Sequence, residues 1–207
     1  HGRSDSRVFR LVQPIGPARF VKIVENTGLP ELEREVDRLR WLHNKFPVPE
    51  VITFVTRGQE TALVMGAIPG EPLIAQNKAP ATVRAAHARL LGESLREFHA
   101  IGANDNPFLH SSAGGSPVPD GLNDSGKAQW LKRLHAQFGE PTWQVFLHGD
   151  PSLPNIIAYE GQITGFVDVG SAGMGDPFRD IALALWSLDH NYGPGFESAL
   201  LEGYASD

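Results

Sequence analysis

Cysteine is absent from the 207 residues, which excludes disulfides, thiol catalysis and cysteine-ligated metals. No apolar run reaches the ~18 residues that a membrane-spanning helix requires. His1-Gly2-Arg3-Ser4-Asp5 is followed by no apolar stretch of the kind a secretory signal needs. These absences give the expectation of a cytoplasmic protein without membrane contact. Basic residues are scarce in one region. Residues 141–207 hold nine acids and one base, Arg179, a net charge of −8, whereas residues 1–140 carry +2. Such a segment repels nucleic acid and attracts cations, either metal ions or a basic substrate.

The apolar content of 41% is ordinary for a globular chain, and 22 Gly with 16 Pro require many turns. Val8 to Val12 and Phe20 to Val24 read as a hairpin about Pro14-Ile15-Gly16-Pro17. Leu32, Val36, Leu39 and Leu42 recur at helical spacing, with Pro30 in the first turn. Val51 to Val55 and Ala62 to Ala67 form a second hairpin about Arg57-Gly58-Gln59-Glu60. The first 67 residues thus read as a small antiparallel sheet with one helix. Residues 68–72, Ile68-Pro69-Gly70-Glu71-Pro72, read as a hinge or linker, and residues 73–207 as a larger, mostly helical region. There, Val83 to Phe98, Leu131 to Phe138 and Ile181 to Leu188 carry helical patterns, with a shorter helix in the last dozen residues. Val145–Leu147, Ile156–Tyr159 and Ile163–Val167 are short strands. Residues 102–126 lack periodicity, which marks either a long functional loop or a stretch from which residues of the full protein are missing.

Chemistry concentrates in His148-Gly149-Asp150-Pro151-Ser152-Leu153-Pro154-Asn155 and Phe166-Val167-Asp168-Val169-Gly170. Each polar group follows a strand. Two hairpin strands bring Asn155 and Asp168 together, and an amide oxygen with a carboxylate suits Mg²⁺, which takes few protein ligands. Asp150 is left to meet a substrate hydroxyl. This is the arrangement phosphoryl transfer uses, where the protein mainly positions groups and neutralises charge. Lys22 lies in the strand Phe20–Val24, and Glu35 lies beside the apolar stripe of the next helix. Alone, each reads as an ordinary surface residue; with the downstream motif, a Lys22–Glu35 pair that holds nucleotide phosphates is the better reading.

His148-Gly149-Asp150 with Asn155 and Asp168 resembles the HGDxxxxN and distal-Asp pattern of the aminoglycoside phosphotransferase and choline kinase family. Leu153–Ile157, Gly165–Gly170 and Asp176–Ala184 are most similar to its aminoglycoside 3′-phosphotransferases. The resemblance implies an α+β, bilobal protein-kinase-like fold, with a small antiparallel-sheet N-lobe holding one helix and a larger, mostly helical C-lobe. It implies ATP or GTP with Mg²⁺ as cofactors. By position, Asp150 is the catalytic base, Asn155 and Asp168 hold Mg²⁺, and Lys22, tethered by Glu35, binds the α/β-phosphates. Gly66 and Ile68 offer backbone groups to the nucleotide base, and Ser4 is a donor on the phosphate-covering loop. The family's first strand would precede His1, and its last helices would follow Tyr204. Asp180 braces the catalytic loop. Two arginines frequent on the family's substrate side are replaced by Ser171 and Trp186.

The expected substrate is a cationic, polyhydroxylated small molecule such as an aminoglycoside. Asp189-His190-Asn191 resembles the family's acidic substrate-side turn, and Asp189, Glu197, Glu202 and Asp176 are the acids left to face ammonium groups. Asp105, Asp120 and Asp124 would form a lid on the long loop. The alternatives are a kinase of a macrolide, choline, homoserine or sugar, and a nucleotide-binding pseudokinase. A protein kinase would need H-R-D, G-x-G-x-x-G and A-P-E segments, and none is present. The remaining expectations are structural: His148 as a satisfied buried histidine, His99 at a helix end against the dipole, Trp130, Trp143 and Trp186 as core or pocket-wall residues, and Asp176 as a helix cap.

Overall fold

Alternate residues of one strand, Thr61, Leu63 and Met65, are buried in the computed structural model, and Leu32, Val36, Leu39 and Leu42 of one helix are at most 1% exposed. These two apolar faces build the core of the first of two units, His1–Ile68 and Pro69–Asp207. The structure describes residues 6–12, 16–102, 106–108 and 125–206. Ser4, Asp105, Asp120 and Asp124 lie outside them.

In the first unit, β1 (Arg7–Leu11), β2 (Arg19–Glu25), β3 (Val51–Arg57) and β4 (Glu60–Gly66) form one antiparallel sheet in the order β1-β2-β4-β3. Helix α1 (Leu29–Leu42) opens with Pro30 in its first turn, where the missing N–H leaves no partner unsatisfied. Both expected hairpins and the helix are therefore found.

Near the start of the second unit, β5 (Glu71–Pro72) pairs with Ala158 and Ile157, so the last two residues of the stretch read as a linker form a sheet edge. Gly70 is required there. Its φ is +120°, and a Cβ would lie 2.2 Å from the Ala158 carbonyl oxygen. Helices α2 (Ala81–His99), α3 (Ser125–Phe138), α4 (Pro177–Tyr192) and α5 (Glu197–Ala205) follow the expected pattern. Strands β6 (Val145–Leu147), β7 (Ile156–Tyr159) and β8 (Gln162–Phe166) are joined by β9 (Gly173–Gly175), which pairs with β6 and was not legible as a strand. Phe98 of α2 packs on Phe146 and Phe166 with ring centroids 5.6 and 5.5 Å apart. All three rings are fully buried, each worth roughly 1.5–3 kcal/mol relative to exposure. They form the floor beneath the loop between β6 and β7. Trp143 departs from expectation: it is 60% exposed, on the approach to β6, whereas Trp130 is buried. Among the described residues no helix is long and apolar enough to cross a membrane.

Candidate active site

The loop from His148 to Asn155 is held from beneath. His148 is fully buried, its ring set between Phe98 and Phe166 at 5.8 and 5.4 Å. Its Nε2 donates to the Val167 carbonyl (3.1 Å), and its Nδ1 accepts from the Asp150 N–H (3.2 Å). Both ring nitrogens are thus used in structure, as expected. Gly149 has φ +90°, and a Cβ there would stand 2.6 Å from the Ser171 carbonyl oxygen, so no other residue fits without moving that backbone. Ser187 of α4 accepts the Leu153 N–H through Oγ (2.9 Å) and fixes the far side of the loop.

Asp150, half-buried, and Asn155 are joined directly. The Asn155 Nδ2 donates to the Asp150 carbonyl (2.9 Å), to Asp150 Oδ2 (3.2 Å) and to Ser152 Oγ (3.3 Å). With its nitrogen committed to Asp150, the amide has Oδ1 as the atom that could hold a cation. Register Ile156↔Phe166 and the Val167 N–H to Asn155 carbonyl bond (2.9 Å) bring Asn155 and the start of the Asp168 turn to the same end of the β7–β8 hairpin. Asp168 is exposed and left-handed, φ 60°, a conformation that Asp tolerates better than most side chains. An amide oxygen and an exposed carboxylate are hard oxygen donors, and they fit a Mg²⁺ ion that keeps water and phosphate as its other ligands.

Asp180, fully buried, accepts the His148 N–H at Oδ2 (2.7 Å) and the Gly149 N–H at Oδ1 (3.0 Å), the bracing expected of it. Burial alone would raise its carboxyl. The hydrogen bond from His99, the electrostatic influence of the His99 and His148 rings, and the His148 N–H outweigh burial and lower it. His99 closes α2, the helix-end position expected of it. It is also a buried partner of Asp180 (3.1 Å) and of Tyr204 (2.8 Å), contacts the expectation did not include.

In the first unit, Lys22 Nζ meets Glu35 Oε2 at 2.6 Å, so the strand and helix form the expected pair. The Gly66 N–H donates to the Glu50 carbonyl (2.9 Å). Of the two backbone groups of Gly66, the N–H is thus engaged, which leaves its carbonyl as the one that could serve a nucleotide base. Ile68 ends the unit.

Asp189, His190 and Asn191 lie in the last turn of α4, not in a turn after it. Asp189 Oδ2 accepts from the Trp130 indole (3.1 Å); burial raises its carboxyl, with Glu197 adding and Trp130 and Arg133 opposing. His190 stacks on Trp186 at 5.3 Å, and Lys127 Nζ sits 4.2 Å from that indole. Asn191 donates to the Ser187 carbonyl (2.7 Å), a tie within its own helix. The other acids expected to face a cation are already engaged. Glu197 pairs with Arg133, Glu202 with Arg89, and Asp176 both caps α4 at the Phe178 N–H and meets His135 at 2.7 Å. Sequence reading missed His99, Tyr204 and Ser187. Glycines inside α2 and α5, Gly92 and Gly203, were the available signal of close helix packing.

A family profile described as a phosphotransferase enzyme family matches residues 1–207. The aminoglycoside 3′-phosphotransferase of Niallia circulans is 28% identical over 221 residues, covering 100% of this chain and 84% of that protein. That of Streptomyces fradiae is 30% identical over 216 residues, covering 92% and 80%. The crystal structure of an aminoglycoside 3′-phosphotransferase of type VIII matches with a TM-score of 0.75 at 27% identity, covering 98% of this chain and 82% of that one. The α+β kinase-like fold expected from the resemblance is the fold found.

Proposed function

The chain belongs to the phosphotransferase enzyme family, and from that premise we propose that it transfers the γ-phosphoryl group of ATP to a hydroxyl of an aminoglycoside. The observation that carries the reading is the Asn155 amide, whose nitrogen donates to the Asp150 carbonyl and to Asp150 Oδ2, an orientation that supports its oxygen as a ligand for a cation. Asn155 Oδ1 and Asp168 would hold Mg²⁺, which when bound neutralises charge on the nucleotide phosphates. Lys22, oriented by Glu35, binds the α/β-phosphates. Asp150 aligns the acceptor hydroxyl and takes its proton as the oxygen–phosphorus bond forms and the β–γ bridge breaks, leaving ADP. The carbonyl of Gly66 and the backbone of Ile68 meet the base, and Ser4 remains a candidate phosphate donor. The cytoplasm, which supplies Mg·ATP, is the compartment assigned.

Asp189 is the acid proposed to receive an acceptor ammonium group, with His190 beside it. One exposed ammonium–carboxylate contact is worth only ~0.2–1 kcal/mol, so binding rests on several. The test is nucleotide consumption with Mg²⁺ against kanamycin, neomycin, streptomycin, a macrolide and a neutral sugar, at low and high salt. The expected result is ADP and phosphorylated aminoglycoside, with KM rising as screening shortens to ~8 Å near physiological ionic strength and rising further in Asp189→Ala. Turnover of the sugar or macrolide alone would reject the aminoglycoside and leave the kinase. Absence of both turnover and nucleotide binding would reject the kinase.

A further inference from the structure

Asp180 is 0% exposed and holds the two N–H groups that precede Asp150. Its third donor comes from a different helix. His99, the last residue of α2, directs Nε2 to Asp180 Oδ2 at 3.1 Å and Nδ1 to the Tyr204 hydroxyl at 2.8 Å. An ionised carboxylate can only accept, so Nε2 is the protonated nitrogen. In the neutral ring Nδ1 is then an acceptor, and the Tyr204 O–H donates to it. The hydroxyl therefore fixes both tautomer and ring orientation. Tyr204 also packs edge-on against the imidazole, centroids 5.5 Å apart. Burial pushes its phenol up to about 12, so it stays a donor throughout the working pH range.

The placement of Tyr204 depends on an unusually close helix contact. A Cβ on Gly92 of α2 would lie 2.1 Å from the Leu200 carbonyl oxygen, and one on Gly203 of α5 would lie 2.0 Å from that of Arg89. Only a pair of glycines lets the two backbones approach so nearly. That contact presents Tyr204 to the end of α2, a position at which neither helix touches the reacting groups.

We infer that Tyr204 and His99 are positioning residues for Asp150, acting in series through the Asp180 carboxylate and the backbone of His148 and Gly149. Helix α5 thereby sets the aim of a carboxylate on a loop far from it in sequence. The inference rests on the kinase reading for its effect on rate, but the physical coupling from hydroxyl to loop amides stands without it.

Tyr204→Phe tests this because it keeps the ring against His99 and deletes only the donor. The expected result is a kcat about 10-fold lower with both KM values within about 2-fold, the size expected from one lost buried hydrogen bond. Exchange of the His148 and Gly149 amides should quicken by about 10-fold, since opening of that turn reports directly on the Asp180 acceptor. Tyr204→Phe should add nothing to the loss already caused by Asp150→Asn, because the chain acts only through that side chain. His99→Gln, which retains a donor toward Asp180, should keep more activity than His99→Leu. A lowered Tm with unchanged kcat and unchanged exchange at the two amides would overturn the inference. So would equal kcat in the two His99 variants, or an additive loss on top of Asp150→Asn. If the wild-type protein turns over no acceptor, the functional reading fails, and amide exchange alone then decides whether the coupling exists.

Discussion

Lys22 and Glu35 meet across the join of β2 and α1 with a nitrogen–oxygen distance of 2.6 Å, and their side chains are only 17% and 5% exposed. Strand and helix are each fixed independently: Lys22 lies opposite Val8 on one side and Leu63 on the other, and Glu35 lies between the buried Leu32 and Val36. Neither charge can relax into water without moving its element. Glu35→Gln should therefore cost about 1–3 kcal/mol, the range for a charged group losing its partner. It should also raise the KM for ATP, as Lys22 loses its orientation. A joint Lys22→Met and Glu35→Leu variant should be less destabilised than either single change but inactive. Thermal melts with nucleotide kinetics check this; unchanged Tm and KM in Glu35→Gln would show the pair to be idle.

Asp150→Asn should lower kcat by about 10²-fold or more, the contribution typical of a positioned base. The affinity for Mg·ATP should hardly change, because in the proposed reaction this side chain faces the acceptor. Single-turnover kinetics beside calorimetry separate the two quantities.

Asp168→Ala should abolish the Mg²⁺-dependent part of nucleotide binding, with the Mg²⁺-independent part retained. The comparison is calorimetric titration of ATP with Mg²⁺ and with a chelator, in wild type and variant. Equal Mg²⁺ enhancement in both proteins would remove Asp168 from the metal site.

The lowered carboxyl of Asp180 gives a signed pH dependence. Its folded value lies below the ordinary 3.8, so its stabilisation is fully present above pH 3.8 and is lost as pH falls below that, through the folded value. Asp180→Asn should melt well below wild type at pH 7, and the gap should narrow below pH 3.8. A gap that is constant with pH would show that the carboxylate contributes no charge-dependent stability.

Gly203→Ala adds one carbon where backbone, not a movable side chain, stands 2.0 Å away. The helices must separate, at a cost of about 1–3 kcal/mol for overpacking, which corresponds to about 2–4 °C in Tm per kcal/mol at this chain length. Activity should fall more than stability does, since Tyr204 leaves His99 as α5 moves.

Local signals were enough for every long element and for bringing Asp150 and Asn155 onto one loop. Leu32, Val36 and Leu39 mark α1 by period alone, and the five-residue interval from Asp150 to Asn155 is what lets the amide turn back on the carboxylate. Partnerships made by distant segments were not legible. His99 reads as a helix terminus because Asp180 and Tyr204 are 81 and 105 residues away along the chain. Gly173–Gly175 carries no apolar alternation, and it is a strand only because β6 supplies the pairing. Glu197 and Glu202 read as acids awaiting a ligand because Arg133 and Arg89, which answer them, sit 64 and 113 residues earlier.

Asp168 holds its left-handed backbone at a cost of roughly 1–2 kcal/mol that glycine would not incur. A library screened only for heat resistance would enrich glycine at this position, and the enriched variants would carry no carboxylate there. If Asp168 holds the metal as proposed, selection for folding and selection for turnover oppose each other at one codon, and only a screen that also demands Mg²⁺-dependent nucleotide binding would keep the aspartate.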